Sequence, residues 1–342
     1  MTSPFMTSQS LNEARRLLCA LQDSIRDAIV AARDTAAADT FADIAEVTEA
    51  DTIYRIDKIS EEAIFTWFNA NWPAQSPVQL VMEGVEEGDD VTFPEGTPIT
   101  ATVWKCILDP IDGTRNIMYD KRSAWILGAL AQQKGPQTKL SDITVAAMSE
   151  LPTTKQWRGD QISGVKGAGH EGLVAEMINL HTGQRQPLPL RPSQASDFKH
   201  GFASLARFFP EGKSLMAKVE EELWDELYGL GSTSSPLVFD DQYIATGGQI
   251  YELLIGHDRM LGDLRPFALK KLGFDASLVC HPYDICTALL LQEAGGVVEA
   301  PDGTVLDVPL DTVSPVAWMG YANETLAAQV RPILQRLMQE HF

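Results

Sequence analysis

The stretch that most limits how this chain can fold is Trp104-Lys105-Cys106-Ile107-Leu108-Asp109-Pro110-Ile111-Asp112-Gly113-Thr114-Arg115-Asn116. It begins as a short apolar run with β-branched character and breaks at Asp-Pro and Asp-Gly. Proline has no N–H for a sheet ladder and glycine tolerates positive φ, so the pattern predicts a strand running into a tight loop. Asp109 and Asp112 stand three residues apart, with the hydroxyl of Thr114 two residues further on and backbone carbonyls between. Hard divalent cations take oxygen ligands, and Mg²⁺ is held by a few carboxylates with phosphate oxygens and water. Asp, Pro and Gly are also ordinary turn residues, so the loop alone leaves a metal site and a plain turn both open.

The chain has 342 residues, 44% of them hydrophobic, enough for a large core in one α/β unit or two intimate halves. A formal net charge of −20 speaks against a nucleic-acid polymer as partner, because phosphate contacts need basic patches. It suits a chain that gathers cations, and equally one that is merely well solvated. Cys19, Cys106, Cys280 and Cys286 have no CxxC spacing and read as reduced residues of a cytoplasmic protein. Six histidines lack HxH or HExxH spacing, which speaks against zinc. Residues 1–10 carry no apolar leader, and no run approaches the length of a membrane span, so no membrane association is expected.

Apolar spacing predicts an amphipathic helix over 11–33, an acidic, alanine-rich loop over 34–51 and a helix over 57–69. Asp57 opens that second helix, where a carboxylate caps a helix start or faces a site. A strand over 78–82 ends at Glu83, and the carboxyl ends of strands are where α/β sheets gather ligands. Strands are expected over 100–108, 123–131 and 143–148, with short antiparallel strands and turns over 150–200. A charged helix is predicted over 212–227 and a helix packed closely at Gly247-Gly248 within 241–255.

A second informative stretch runs from His281-Pro282-Tyr283-Asp284 through an apolar run to Ala294-Gly295-Gly296. It predicts a helix with Asp284 at or near its N-cap and a glycine stop. There a carboxylate either caps the helix or turns to a cation beside a bound phosphate. A hairpin turning at Asp302-Gly303 and a closing helix over 326–337 complete the chain.

Together these stretches resemble the inositol monophosphatase family of Mg²⁺-dependent, lithium-sensitive phosphatases, which includes fructose-1,6-bisphosphatases and bisphosphate nucleotidases. Asp109-Pro110-Ile111-Asp112-Gly113-Thr114 looks like the first signature of that family, and Pro282-Tyr283-Asp284 through Ala294-Gly295-Gly296 looks like the second. Asp57-Lys58-Ile59-Ser60-Glu61-Glu62 and Val81-Met82-Glu83 resemble its remaining pieces in the same order. Tyr283 stands where Trp is common, and Gly84 stands where the family has a second Glu, leaving Glu86 or Glu87 as rival ligands. No Lys or Arg lies in 35–45, where the family carries a basic residue.

The resemblance implies an α+β or α/β fold, the layered α-β-α-β-α sandwich, with a metal-binding half over 1–195 and a half over 196–342 completing the site. It implies that Glu83, Asp109, Asp112, Asp284 and the carbonyl of Ile111 hold two or three Mg²⁺ ions. Thr114 would position the attacking water, with Asp57 as its partner or as a further ligand and Glu83 beside it. Phosphate would rest on the N–H groups of Gly113 and Thr114. A small-molecule phosphate ester is the expected substrate, first a monophosphate of inositol or a related polyol. A sugar bisphosphate, a nucleotide bisphosphate and a non-catalytic metal-dependent sugar-phosphate binder are the alternatives. Arg115, Lys121, Arg122 and Arg265 are candidate binders of a second anionic group or plain salt-bridge partners. The 205–232 segment is expected either to cover the site or to build a homodimer interface.

Overall fold

The computed structural model describes residues 7–35, 44–47, 52–85, 91–231, 235–274 and 278–342. Helix α1 (Ser8–Thr35) buries Ala14, Leu18, Leu21, Ile25 and Ile29, one helical stripe. An antiparallel hairpin of β1 (Ile44–Val47) and β2 (Thr52–Tyr54) leads into α2 (Arg55–Asn71).

Eight strands then form one sheet: β3 (Val78–Met82), β4 (Val91–Phe93), β5 (Trp104–Asp112), β6 (Ala124–Gln132), β7 (Ile143–Leu151), β8 (Arg158–Val165), β9 (Val174–Asn179) and β10 (Arg185–Pro187). Their order is β10-β9-β8-β7-β6-β5-β3-β4, and of these pairs β3 and β5 run parallel while the rest are antiparallel. Every residue of β5 is buried, its apolar run together with Lys105, Asp109 and Asp112, as befits a strand covered on both faces. The short helix α3 (Thr114–Met118) links β5 to β6.

A second sheet has the order β12-β11-β13-β15-β14, from β11 (Gly201–Leu205), β12 (Val238–Phe239), β13 (Asp258–Asp263), β14 (Val297–Glu299) and β15 (Trp318–Tyr321). Its helices are α4 (Lys213–Tyr228), α5 (Thr246–Ile255), α6 (Arg265–Leu272), α7 (Ala288–Glu293) and α8 (Glu324–His341). Helices α1 and α2 cover one face of the large sheet, α5 and α7 lie between the sheets, and α4 and α8 cover the far face of the small one. The layers are helix, sheet, helix, sheet, helix, as the resemblance implied. No helix among the described residues is long and apolar enough to cross a membrane.

Three local expectations need correction. The acidic 34–51 segment is not all loop, since β1 lies within it and pairs with β2. Strand β5 continues past Pro110 to Asp112, because the proline sits where the ladder with β6 is already irregular and no N–H is required. The turn at Asp302-Gly303 forms, with Gly303 at φ 79°, but 305–306 is not a strand and β14 pairs with β15 instead. Helix α4 lies in the outer layer against α8.

Candidate metal centre

Parallel pairing brings the carboxyl ends of β3 and β5 together, with Met82 opposite Leu108. The next residue, Glu83, donates its N–H to the Leu108 carbonyl at 3.3 Å, so Glu83 and Asp109 leave neighbouring strand ends. In a straight strand, residues three apart point to opposite faces. Here Asp109 faces Leu127 of β6 and Asp112 faces Trp125, three steps on one strand against two on the other. That extra residue is a β-bulge, and it restores Asp112 to the face used by Asp109. Ile107 packs in the core between the sheets, and Ile111 packs under α1 and α2. Both carboxylates therefore open on the inner side.

The turn is held tightly. The Ile111 N–H donates to Asp109 Oδ1 at 2.9 Å, and Thr114 Oγ1 donates to the Ile111 carbonyl at 3.0 Å. Gly113 has φ 90°, and a Cβ there would lie 2.8 Å from that of Ala245, so only glycine fits. Asp112 reaches across to α5, where Thr246 N–H donates to its Oδ1 at 3.3 Å and Gly247 N–H to its Oδ2. The first residues of α5 lack a side-chain cap of their own, so Asp112 supplies one from another element.

Asp284 arrives from the far side. It does not cap α7, which begins at Ala288; the chain turns irregularly over 281–287, and the His281 N–H donates to Asp284 Oδ2 at 2.6 Å. The expected helix start is displaced because this local bond competes with helical pairing. The glycine stop does form, with Gly295 at φ 92° and Gly296 N–H bonded to the Leu291 carbonyl at 2.9 Å. Tyr283 and His281 stack with centroids 5.3 Å apart, joined by a 3.2 Å hydrogen bond.

Oxygen atoms of Asp109, Asp112 and Asp284 all lie within 4.8 Å of one another, with Asp109 and Asp112 buried and Asp284 half-buried. Burial, then the charges of Glu83, Asp112 and Asp284, hold Asp109 well above the usual carboxylate range against the Ile111 hydrogen bond. Burial pushes Asp112 up to about 7, opposed by the Gly247 and Thr246 N–H groups. Asp284 is raised by burial and by Asp112. Three acids crowded at this distance, two of them buried and one half-buried, are poorly accommodated as anions unless positive charge joins them. An all-oxygen donor set of this charge suits a hard divalent cation such as Mg²⁺.

Glu83 is half-buried, and its charge acts on Asp109 and Asp112, although it lies outside that close trio. Asp57 is half-buried in the first turn of α2 and also lies outside the trio. Gly84 takes φ 84°, a backbone that disfavours a glutamate there; Glu86 and Glu87 lie outside the described residues. Arg122 pairs with Asp241 and sits 4.6 Å over the Tyr243 ring. Arg265 is buried, binds Asp263 through Nε and Nη2, and lies 4.8 Å over Phe208. Arg115 and Lys121 are exposed. The backbone donors of Thr246 and Gly247 were not expected as partners of Asp112, although the Gly247-Gly248 pair signalled a close approach there.

No protein-family model matches the sequence, and no curated protein matches it. Solved structures do. The extragenic suppressor protein SuhB from Bartonella henselae aligns with 96% of this chain and 100% of its own at 14% identity, with a TM-score of 0.63. Fructose-1,6-bisphosphatase from Leishmania major, in holo form, aligns over 95% of this chain and 93% of its own at 14% identity and a TM-score of 0.63. An inositol monophosphatase from Anabaena aligns over 98% of both chains at 12% identity and a TM-score of 0.57. At such identities the likeness concerns the fold. The chain has the fold shared by inositol monophosphatases, SuhB and fructose-1,6-bisphosphatase.

Proposed function

We propose that this chain is a Mg²⁺-dependent phosphomonoester hydrolase acting on a small polyol or sugar phosphate, an inositol monophosphate being the first candidate. The observation that carries the proposal is the close trio of Asp109, Asp112 and Asp284, the first two buried and the third half-buried, with oxygens within 4.8 Å. Its placement in the fold of a phosphatase superfamily supports the same reading.

Glu83, Asp109, Asp112, Asp284 and the Ile111 carbonyl would hold two or three Mg²⁺ ions. Bound there, the ions would supply Lewis acidity, acidify water and offset charge on the departing oxygen. Thr114 donates its hydroxyl proton to Ile111, which leaves its oxygen lone pairs to accept from a water and orient it. Asp57 would take part in holding that water, or serve as a further ligand, and Glu83, just past the end of β3, would stand beside it. The N–H groups of Gly113 and Thr114 would receive the phosphate oxygens. We also place the protein in the cytoplasm, since its four cysteines are free and three of them are buried.

The test is phosphate release from inositol, sugar and nucleotide phosphates, with Mg²⁺ and with EDTA. Mg²⁺-dependent release from an inositol or sugar monophosphate is the expected result. Release only from a bisphosphate would favour the second reading, which the likeness to the Leishmania enzyme supports. No release from any ester, with Mg²⁺ binding retained in calorimetry, would leave a non-catalytic binder. Sedimentation velocity tests whether 205–232 builds a homodimer contact.

A further inference from the structure

On the other face of the large sheet, under α1, a cavity of about 300 Å³ is lined by Arg15, Arg16 and Arg185. Gln161 and Ser163 form its floor. They flank Ile162, which packs between the sheets, so their side chains point away from the carboxylate trio. Arg185 is balanced, pairing with Asp23 and Glu176. Arg15 is not: one Nη1 bond to Ser163 at 2.9 Å leaves its buried Nε with no hydrogen-bond partner. Arg16 is exposed and has no ion-pair partner among the described residues.

A buried guanidinium donor left unpaired is costly, and three arginines against the two carboxylates of Asp23 and Glu176 give this cavity a net positive lining in a chain of net charge −20. Planar guanidinium forks match the oxygens of phosphate, which they bind bidentately. We propose that this cavity is a second ligand site, separate from the metal centre, which takes a small phosphate-bearing anion through Arg15 and Arg16 with Arg185 as a fixed third wall. Its ligand is inorganic phosphate or a small phosphate monoester. Cys19 lines the same cavity and is half-buried, whereas Cys106, Cys280 and Cys286 are buried, so labelling of Cys19 reports occupancy, slowly, because burial pushes its thiol above the ordinary range.

The experiment uses the full chain in EDTA, so that the metal centre contributes neither affinity nor turnover. Inorganic phosphate and glucose 6-phosphate are titrated separately by calorimetry at constant ionic strength, while maleimide labelling of Cys19 is timed in parallel. Saturable binding that slows labelling, weakens about tenfold or more in Arg15→Gln and in Arg16→Gln, and persists in Asp109→Asn is the expected result. Whichever of the two anions saturates identifies the source of the phosphate group. Absence of saturable binding by either, binding untouched by Arg16→Gln, or binding lost in Asp109→Asn would overturn the proposal. Arg16 is exposed, so its variant should fold even if the Arg15 variant does not.

Discussion

Gly247 donates its backbone N–H to the carboxylate of Asp112, tying the first turn of α5 to the end of β5. A Cβ at Gly247 would lie 2.5 Å from Leu127 Cδ2 and 3.0 Å from both Asp112 Oδ2 and Trp125 Cβ. Gly247→Ala should therefore cost about 1–3 kcal/mol through overpacking and push Asp112 out of place. The expected outcome is a lower urea midpoint together with weaker Mg²⁺ binding. A variant that loses neither would show that α5 does not fix Asp112.

Asp109→Asn keeps an oxygen to accept the Ile111 N–H and removes one of the crowded charges. Mg²⁺-dependent phosphate release should fall by more than the 10–100-fold typical of losing an outer-sphere partner of a metal. The variant should still melt cooperatively in EDTA, at a midpoint equal to or above the parent. Unchanged activity would remove Asp109 from the metal set.

Thr114→Ala deletes the hydroxyl next to the Ile111 carbonyl. If that oxygen orients the attacking water, kcat should drop by roughly 10²-fold or more with KM little changed. A change confined to KM would assign Thr114 to substrate binding instead.

The carboxylate cluster also sets a pH dependence. In the folded chain without metal, Asp112 holds its proton up to about 7, while the unfolded chain releases it near the ordinary value of 3.8. Between those values the unfolded state gives up protons that the folded state keeps, so stability falls as pH rises, by about 1.4 kcal/mol per pH unit for one such group. It is fully present below about pH 4 and lost by about pH 7. Metal binding requires the ionised form, so Mg²⁺ should raise the melting midpoint most above pH 7 and little at pH 5. Melting curves in EDTA and in Mg²⁺ across pH 4–8 check both slopes, and a Mg²⁺ effect independent of pH would contradict the assignment.

Much of this arrangement is legible in the residues themselves. The apolar run 78–82 coincides with β3, and the helical stripe over 11–33 is buried as expected, because short-range periodicity decides both. Asp109, Asp112 and Asp284 converge, although they come from segments about 170 residues apart. What escapes the sequence is set by tertiary partners. Pro110 signals the end of a strand, yet the ladder resumes at Asp112 because β6 and α5 offer contacts beyond it. Asp284 has the setting of a helix cap, yet it bonds the His281 N–H and the helix waits until Ala288. The pairing of 305–306 is likewise overridden by β15.

The bulge between Asp109 and Asp112 acts as a length gauge. The side chain of Ile111 serves the hydrophobic layer under α1 and α2, while its carbonyl faces the other way, toward Thr114. Exchange of Ile111 for another apolar residue of similar volume would leave the gauge intact. Removal or addition of one residue would rotate a carboxylate into that oily layer, however faithfully the remaining letters were kept. A chain of this architecture can therefore drift far in composition while the count of residues between its two acids stays fixed.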